Sequence, residues 1–222
     1  MEPTRRNILL EVFAATGFVI LLLVAHHGLG PISGGMSAAL GIGASLAMLW
    51  LPVLALHVGR RDFNHYGLTL DDWRSGLRWA LGAALIVLPL FVVGYWLFWG
   101  VGFGRELAWR LDRTTAWQAL YQLSVVALSE EVFFRGFVQS SLAVVWPAKT
   151  RRWVGEHGPA ILVTAVLFAL AHALPTGQLL RLAVFFPALL LGWLRVRTGS
   201  ILAPVVFHGL ANLCVFILAG KV

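Results

Sequence analysis

The sequence predicts an all-α fold, a polytopic bundle of about seven transmembrane helices, and three observations carry that prediction. First, 59% of the 222 residues are hydrophobic and only 12% are charged, where a soluble domain carries roughly 25%; mean hydropathy is +0.82. Second, seven apolar runs approach or exceed the roughly 20 residues that an α-helix needs to cross a bilayer. Third, the basic residues fall preferentially on alternate loops. These features mark 1–222 as a single integral-membrane domain embedded in the lipid bilayer. The net charge of +7 is spread over short loops, which suits topology setting and contact with anionic headgroups rather than nucleic acid.

Each span has its own signature. The first, Ile8–Ala25, follows Arg5 and Arg6. Glu11 interrupts it and no small-residue cleavage site follows, so it reads as a retained helix rather than a signal peptide. The turn Gly28–Gly35 leads into the second span, Met36–Val58. A polar loop, Gly59–Ser75, carries Arg60, Arg61, Asp62, Asp71, Asp72 and Arg74. The third span, Gly76–Val101, is bordered by Trp79, Trp96 and Trp99, as interfacial anchors are. Phe103–Thr115 mixes charge and apolar residues and is expected to form a short interfacial helix. The fourth span is Ala116–Trp146, followed by the basic loop Pro147–Gly158. The fifth is Pro159–Leu174, the sixth Leu179–Val196 with Pro187 as an expected kink, and the seventh Ile201–Ala219. An N-terminus inside places Arg5, Arg6, Arg60, Arg61, Arg74, Arg78, Lys149, Arg151, Arg152, Arg195 and Arg197 on one side. Arg105, Arg110, Arg113, Arg181 and Lys221 fall on the other, so eleven basic residues oppose five and predict a cytoplasmic N-terminus.

Chemistry concentrates in the fourth span. Glu130, Glu131 and Arg135 interrupt an otherwise apolar stretch, and ionisable groups at membrane depth are costly enough to mark function. Glu131 and Arg135 stand four apart and share a helix face in the favourable acid-before-base order. Glu130 points about 100° away, free for acid–base work; the plainer alternative is a structural ion pair with Glu130 facing water. The fifth span carries Phe168 and His172 one turn apart, and the seventh carries His208 and Asn212 likewise. A carboxylate, two imidazoles and an amide form an inventory for activating water and stabilising an oxyanion. A single cysteine, Cys214, excludes an internal disulfide. Asp62, Asp71, Asp72 and Asp112 all lie in loops, so no intramembrane aspartate dyad is present, and no Gly-x-Ser-Gly occurs. Glu130, His172 and His208 could serve zinc, although no His-Glu-x-x-His occurs. A non-catalytic membrane scaffold or bacteriocin-immunity protein is the non-enzymatic alternative. A proton-coupled transporter is disfavoured, because the seven spans lack repeat symmetry.

Glu130-Glu131-x-x-x-Arg135, Phe168-x-x-x-His172 and His208-x-x-x-Asn212 resemble, in type, order and spacing, the motif set of the CPBP family. These are the CAAX proteases and bacteriocin-processing enzymes, also called Abi or type II CAAX endopeptidases and classed as glutamic intramembrane proteases. The resemblance covers a motif core at 116–219, preceded by a Tyr66-Gly67-Leu68 loop similar to those before the family core. It implies that Glu130 and His172 activate a water, that His208 and Asn212 hold the oxyanion, and that Glu131, Arg135 and Phe168 support them. Sequence leaves open which of Glu130 and Glu131 is the base. The resemblance further implies no cofactor and no metal, and a membrane-anchored protein or peptide as substrate. C-terminal processing or sorting-tail removal, peptide maturation and bacteriocin immunity are the candidate settings. The chain's size and lack of targeting features suggest a prokaryotic plasma membrane.

Overall fold

The computed structural model describes residues 4–30, 32–106, 109, 111–146 and 157–219. Seven helices, and no strand among the described residues, run through them. They are α1 (Arg5–Leu29), α2 (Gly34–Val58), α3 (Trp73–Val101), α4 (113–145), α5 (Gly158–Thr176), α6 (Leu179–Thr198) and α7 (Leu202–Ala219). Helices α1, α2, α3, α5 and α6 are long and apolar enough to cross a membrane by composition alone. Helix α7 offers a shorter apolar stretch, Leu202–Leu218, and in α4 the charges Glu130, Glu131 and Arg135 interrupt the apolar run. The protein is a multi-pass membrane protein whose helices follow the seven predicted runs.

Local chemistry sets the ends. Thr4, Ser33 and Asp72 cap α1, α2 and α3 by accepting hydrogen bonds from the backbone N–H groups of Asn7, Met36 and Ser75. Asp112 and Thr115 form a reciprocal capping box at the start of α4. Left-handed glycines close α5 (Gly177, φ 65°) and α6 (Gly199, φ 69°).

Two sequence expectations are corrected. No described residue between Gly102 and Asp112 is helical, so the interfacial helix expected at Phe103–Thr115 is absent among the described residues, with 107, 108 and 110 outside them; helix starts at Arg113, where Asp112 supplies the cap. Pro187 does not kink a continuous α-helix. The chain is 3-10 over Leu179–Val184 and turns α-helical at Phe185, so Pro187 sits in the first α-helical turn, where its missing N–H costs least. Residues 147–156 of the predicted basic loop lie outside the described residues.

Helix α4 is wound unevenly. Gln122–Ala127 and Val132–Gln139 are π-helical, separated by the single α-turn Leu128–Glu131. Such wide turns favour functional positions. All eight residues of Val132–Gln139 are buried, which makes this stretch the axle of the bundle. Phe133, Phe134 and Phe137 pack with Val12 and Val19 of α1, Met48 and Leu56 of α2 and Phe168 of α5. A second cluster joins Ala80 and Ala84 of α3 to Leu191 and Leu194 of α6 and Phe207 of α7. Outside, Leu81, Leu85, Ile86 and Leu90 of α3 and Leu10, Phe18 and Leu21 of α1 are exposed, as a lipid-facing surface requires.

One end of the bundle is sealed by the loop 59–72. Arg195 Nη2 donates to His65 O at 3.0 Å and to Ser140 Oγ at 3.4 Å. Ile201 N donates to Gly67 O at 3.0 Å and Ser200 Oγ to Thr69 O at 2.6 Å. Gly67, at φ 74°, is needed twice over: its backbone is left-handed, and a Cβ there would stand 2.3 Å from the Arg195 guanidinium. Arg61 pairs with Glu11, tying the start of α1 to the same end.

Candidate active site

The three helices bearing the polar motifs converge on the middle of α4. Glu131 and Arg135 are fully buried, and the predicted pair is formed: Arg135 Nη1 donates to Glu131 Oε1 at 2.9 Å. The same Oε1 accepts from His208 Nδ1 at 2.7 Å, so one carboxylate oxygen ties α4 to α7. Arg135 Nη2 reaches Ala188 O of α6 at 3.3 Å, and its guanidinium lies 4.4 Å from the centre of the Phe168 ring. Phe168 is thus a wedge: it stacks edge-on to Phe134 and touches the His172 ring at 4.3 Å.

Glu130 points elsewhere. Its Oε2 lies 3.8 Å from Nε2 of His172 and 3.8 Å from Nε2 of His208, too far for a direct hydrogen bond. That oxygen is buried and makes no hydrogen bond within the chain. His172 turns its Nδ1 to Phe168 O at 2.9 Å. A carbonyl only accepts, so in neutral His172 the proton is on Nδ1 and the Nε2 lone pair faces Glu130. Glu130, His172 and His208 therefore share one small volume.

Asn212, one turn beyond His208, donates from Nδ2 to Gln122 Oε1 of α4 at 3.0 Å. Close approach of α7 to α4 is made possible by Gly209, where a Cβ would fall 2.8 Å from Leu123 Cδ1. Asn212, Phe168, His172 and His208 all line a cavity of about 900 Å³, a size that accepts a drug-sized ligand or a short peptide stretch. Its walls include Leu88 and Phe91 of α3 and Val184 and Leu191 of α6. Five helices, α3 to α7, thus bound the cavity. Among the described residues, no group of three or more His, Cys, Asp or Glu is arranged to hold a metal ion.

Residues 112–214 match the family model described as type II CAAX prenyl endopeptidase Rce1-like. This stretch is an Rce1-like domain. It begins at the Asp112 cap and ends beyond Asn212, so it holds every motif residue named above, in agreement with the CPBP resemblance. The Rce1-like match places a domain of protease-family type over residues 112–214, and the buried carboxylate and imidazole groups lie within it. No curated protein and no solved structure matches the chain.

Sequence reasoning missed Gln122, and with it Thr114 and Gln118, which line the same cavity of the Rce1-like domain. A signal existed. Thr114, Gln118 and Gln122 stand four apart along a largely apolar stretch, the spacing of neighbours on one helical face. Arg181 is the one Lys, Arg, Asp or Glu among the described residues that line the cavity.

Proposed function

We propose that the protein is a glutamic intramembrane endopeptidase, with Glu130 as general base, His172 as its partner, and His208 and Asn212 as oxyanion donors. The observation that carries this reading is Glu130 Oε2, buried without a hydrogen-bond partner and equidistant, at 3.8 Å, from two imidazole Nε2 atoms. That spacing suits a water held between carboxylate and imidazole. Glu131 is already committed to Arg135 and His208, which favours Glu130 as the base and makes Glu131 and Arg135, with Phe168, the supporting set.

The steps follow from the bonds. A water loses a proton to Glu130, its other hydrogen facing the lone pair of His172 Nε2, and its oxygen attacks the scissile carbonyl carbon. The carbonyl oxygen becomes an oxyanion and accepts from Asn212 and His208. Asn212 has two amide hydrogens, and the one not given to Gln122 is available. His208 donates through Nε2 while Nδ1 donates to Glu131, so it holds both protons, stabilised by the carboxylate behind it as in a catalytic triad. The C–N bond then breaks as the proton on Glu130 passes to the leaving amine. Preorganised donors of this kind are each worth roughly 3 kcal/mol of barrier.

The whole chain, 1–222, acts as one integral-membrane unit around the motif core 116–219. Its N-terminus is cytoplasmic, its location a prokaryotic plasma membrane, and its substrate a membrane-anchored protein or peptide cut near its C-terminal end. The test compares native membranes containing wild type or Glu130→Ala by mass-spectrometric mapping of protein termini, with a chelator-treated wild-type sample alongside. Termini that vanish in the variant and survive chelator are the expected result. Loss with chelator would replace the glutamic mechanism with a zinc-dependent one, and no change in termini would leave a scaffold or immunity protein.

A further inference from the structure

We infer that the catalytic cavity opens to the extracytoplasmic face, so that the substrates are membrane-attached polypeptides presented after translocation, not the tails of cytosolic proteins. This rests on the protease reading above and adds the side on which it operates.

Two independent observations meet here. The first is where the cavity sits along each helix. In α4 its lining is Thr114, Gln118 and Gln122, all ahead of Glu130; in α5 it is Phe168 and His172, in the second half. In α6 it is Arg181 to Leu191, the first half, and in α7 Phe207 to Phe216, the later part. Neighbouring helices run in opposite directions, so all these segments lie towards the same end, that of the connections 102–112 and 177–178. The other end is closed. There the buried residues Tyr66, Ser140, Ser141, Arg195, Ser200 and Ile201 fill the space below the π-helical axle, and the loop 59–72 is bonded across them.

The second observation is charge. Arg5, Arg6, Arg60, Arg61, Arg74, Arg78, Arg195 and Arg197 belong to the sealed end, while the open end has Arg105, Arg113 and Arg181 among the described residues. Basic residues in short loops stay on the cytoplasmic side, which makes the sealed end cytoplasmic. A peptide reaching Glu130 from the cytoplasm would have to displace the fully buried Phe133, Phe137 and Leu142 together with the Arg195 clamp. From the opposite side it meets an apolar cavity with one polar stripe and, among the described residues, no plug of this kind.

The face can be read directly with the full chain expressed in intact bacterial cells, in a Cys214→Ala background that removes the native thiol. Single cysteines are placed at Leu179→Cys, 80% exposed at the open end, and at Asp71→Cys, exposed at the sealed end. Each is treated with a membrane-impermeant maleimide before and after permeabilisation. The expected result is labelling of Leu179→Cys in intact cells and of Asp71→Cys only after permeabilisation, a difference of roughly tenfold or more, since a sealed bilayer excludes the charged reagent. The reverse pattern overturns the inference, as does equal labelling of both sites. Labelling needs no activity, so a failure of the protease reading shows separately, in the termini experiment. In that experiment, termini lost with Glu130→Ala that map to translocated segments support the substrate class, and termini confined to cytoplasmic segments overturn it.

Discussion

The two adjacent glutamates provide the sharpest test, because the proposed function gives them opposite kinds of importance. Glu131 is fully buried and its Oε1 holds both Arg135, at 2.9 Å, and His208, at 2.7 Å. Glu131→Ala leaves a guanidinium with no exposed surface without its carboxylate, a loss of roughly 3–5 kcal/mol for a broken buried pair. In a chain of this size that is a melting shift on the order of 10 °C. Glu131→Gln keeps an acceptor oxygen in place but removes the charge, and should cost about 2 kcal/mol, between a neutral and a charged hydrogen bond. Glu130 behaves differently, since its side chain is 14% exposed and makes no close bond in the chain. Glu130→Gln, which keeps the volume and breaks no hydrogen bond to the described residues, should therefore change stability by about 1 kcal/mol or less and cut the rate by roughly 10²–10⁴, the worth of a general base. Thermal unfolding followed by circular dichroism in detergent, beside cleavage of a substrate found by termini mapping, measures both quantities. Full activity in Glu130→Gln, or a wild-type melting point in Glu131→Ala, would refute the division of labour.

Four further outcomes follow from named contacts. Asn212→Ala should lower kcat by roughly 10²–10³ with little change in KM, as one lost oxyanion donor does; Gln122→Leu, which removes the partner 3.0 Å from the Asn212 amide, should lower it up to about tenfold. Gly67→Ala forces a Cβ to 2.3 Å from Arg195 in a backbone at φ 74°, and should lower stability by about 2 kcal/mol or more in an unfolding titration. Burial, with help from Arg195 and His65, holds His157 down at about 4 from its usual 6.5. Its folded form resists the proton that the unfolded chain accepts, so stability is full above about pH 6.5 and falls as pH drops towards 4. For this partly exposed ring the loss is discounted to about 1–2 kcal/mol, and His157→Phe should flatten that part of the Tm-against-pH curve.

The seven helices were legible because a bilayer imposes length and apolarity on each segment independently. The Glu131–Arg135 pair was legible for a similar reason, since four-residue spacing survives either helical winding. The Glu131–His208 bond was not, because it joins residues on separate helices whose rotation depends on packing at Gly209 and Leu123. Gln122 was overlooked because a glutamine costs less at membrane depth than a charge and draws less notice. The helix expected at Phe103–Thr115 is absent among the described residues because amphipathic composition does not overcome Gly102, the left-handed Gly104 and the Asp112 cap that starts α4 later.

The uneven winding of α4 works as a ruler. In a regular α-helix, residues four apart drift by about 40° per step, so a stripe through Thr114, Gln118 and Gln122 would wander off the cavity before reaching Glu130. The wider π turn over Gln122–Ala127 takes back part of that rotation and returns Glu130 to the same line. The helix can therefore turn Glu130 back towards the side of Thr114, Gln118 and Gln122 while presenting Phe133, Phe134 and Phe137 to the core. A one-residue deletion within that π turn would restore ideal winding and rotate Glu130 away from His172 and His208, with every side chain of the proposed catalytic set still present.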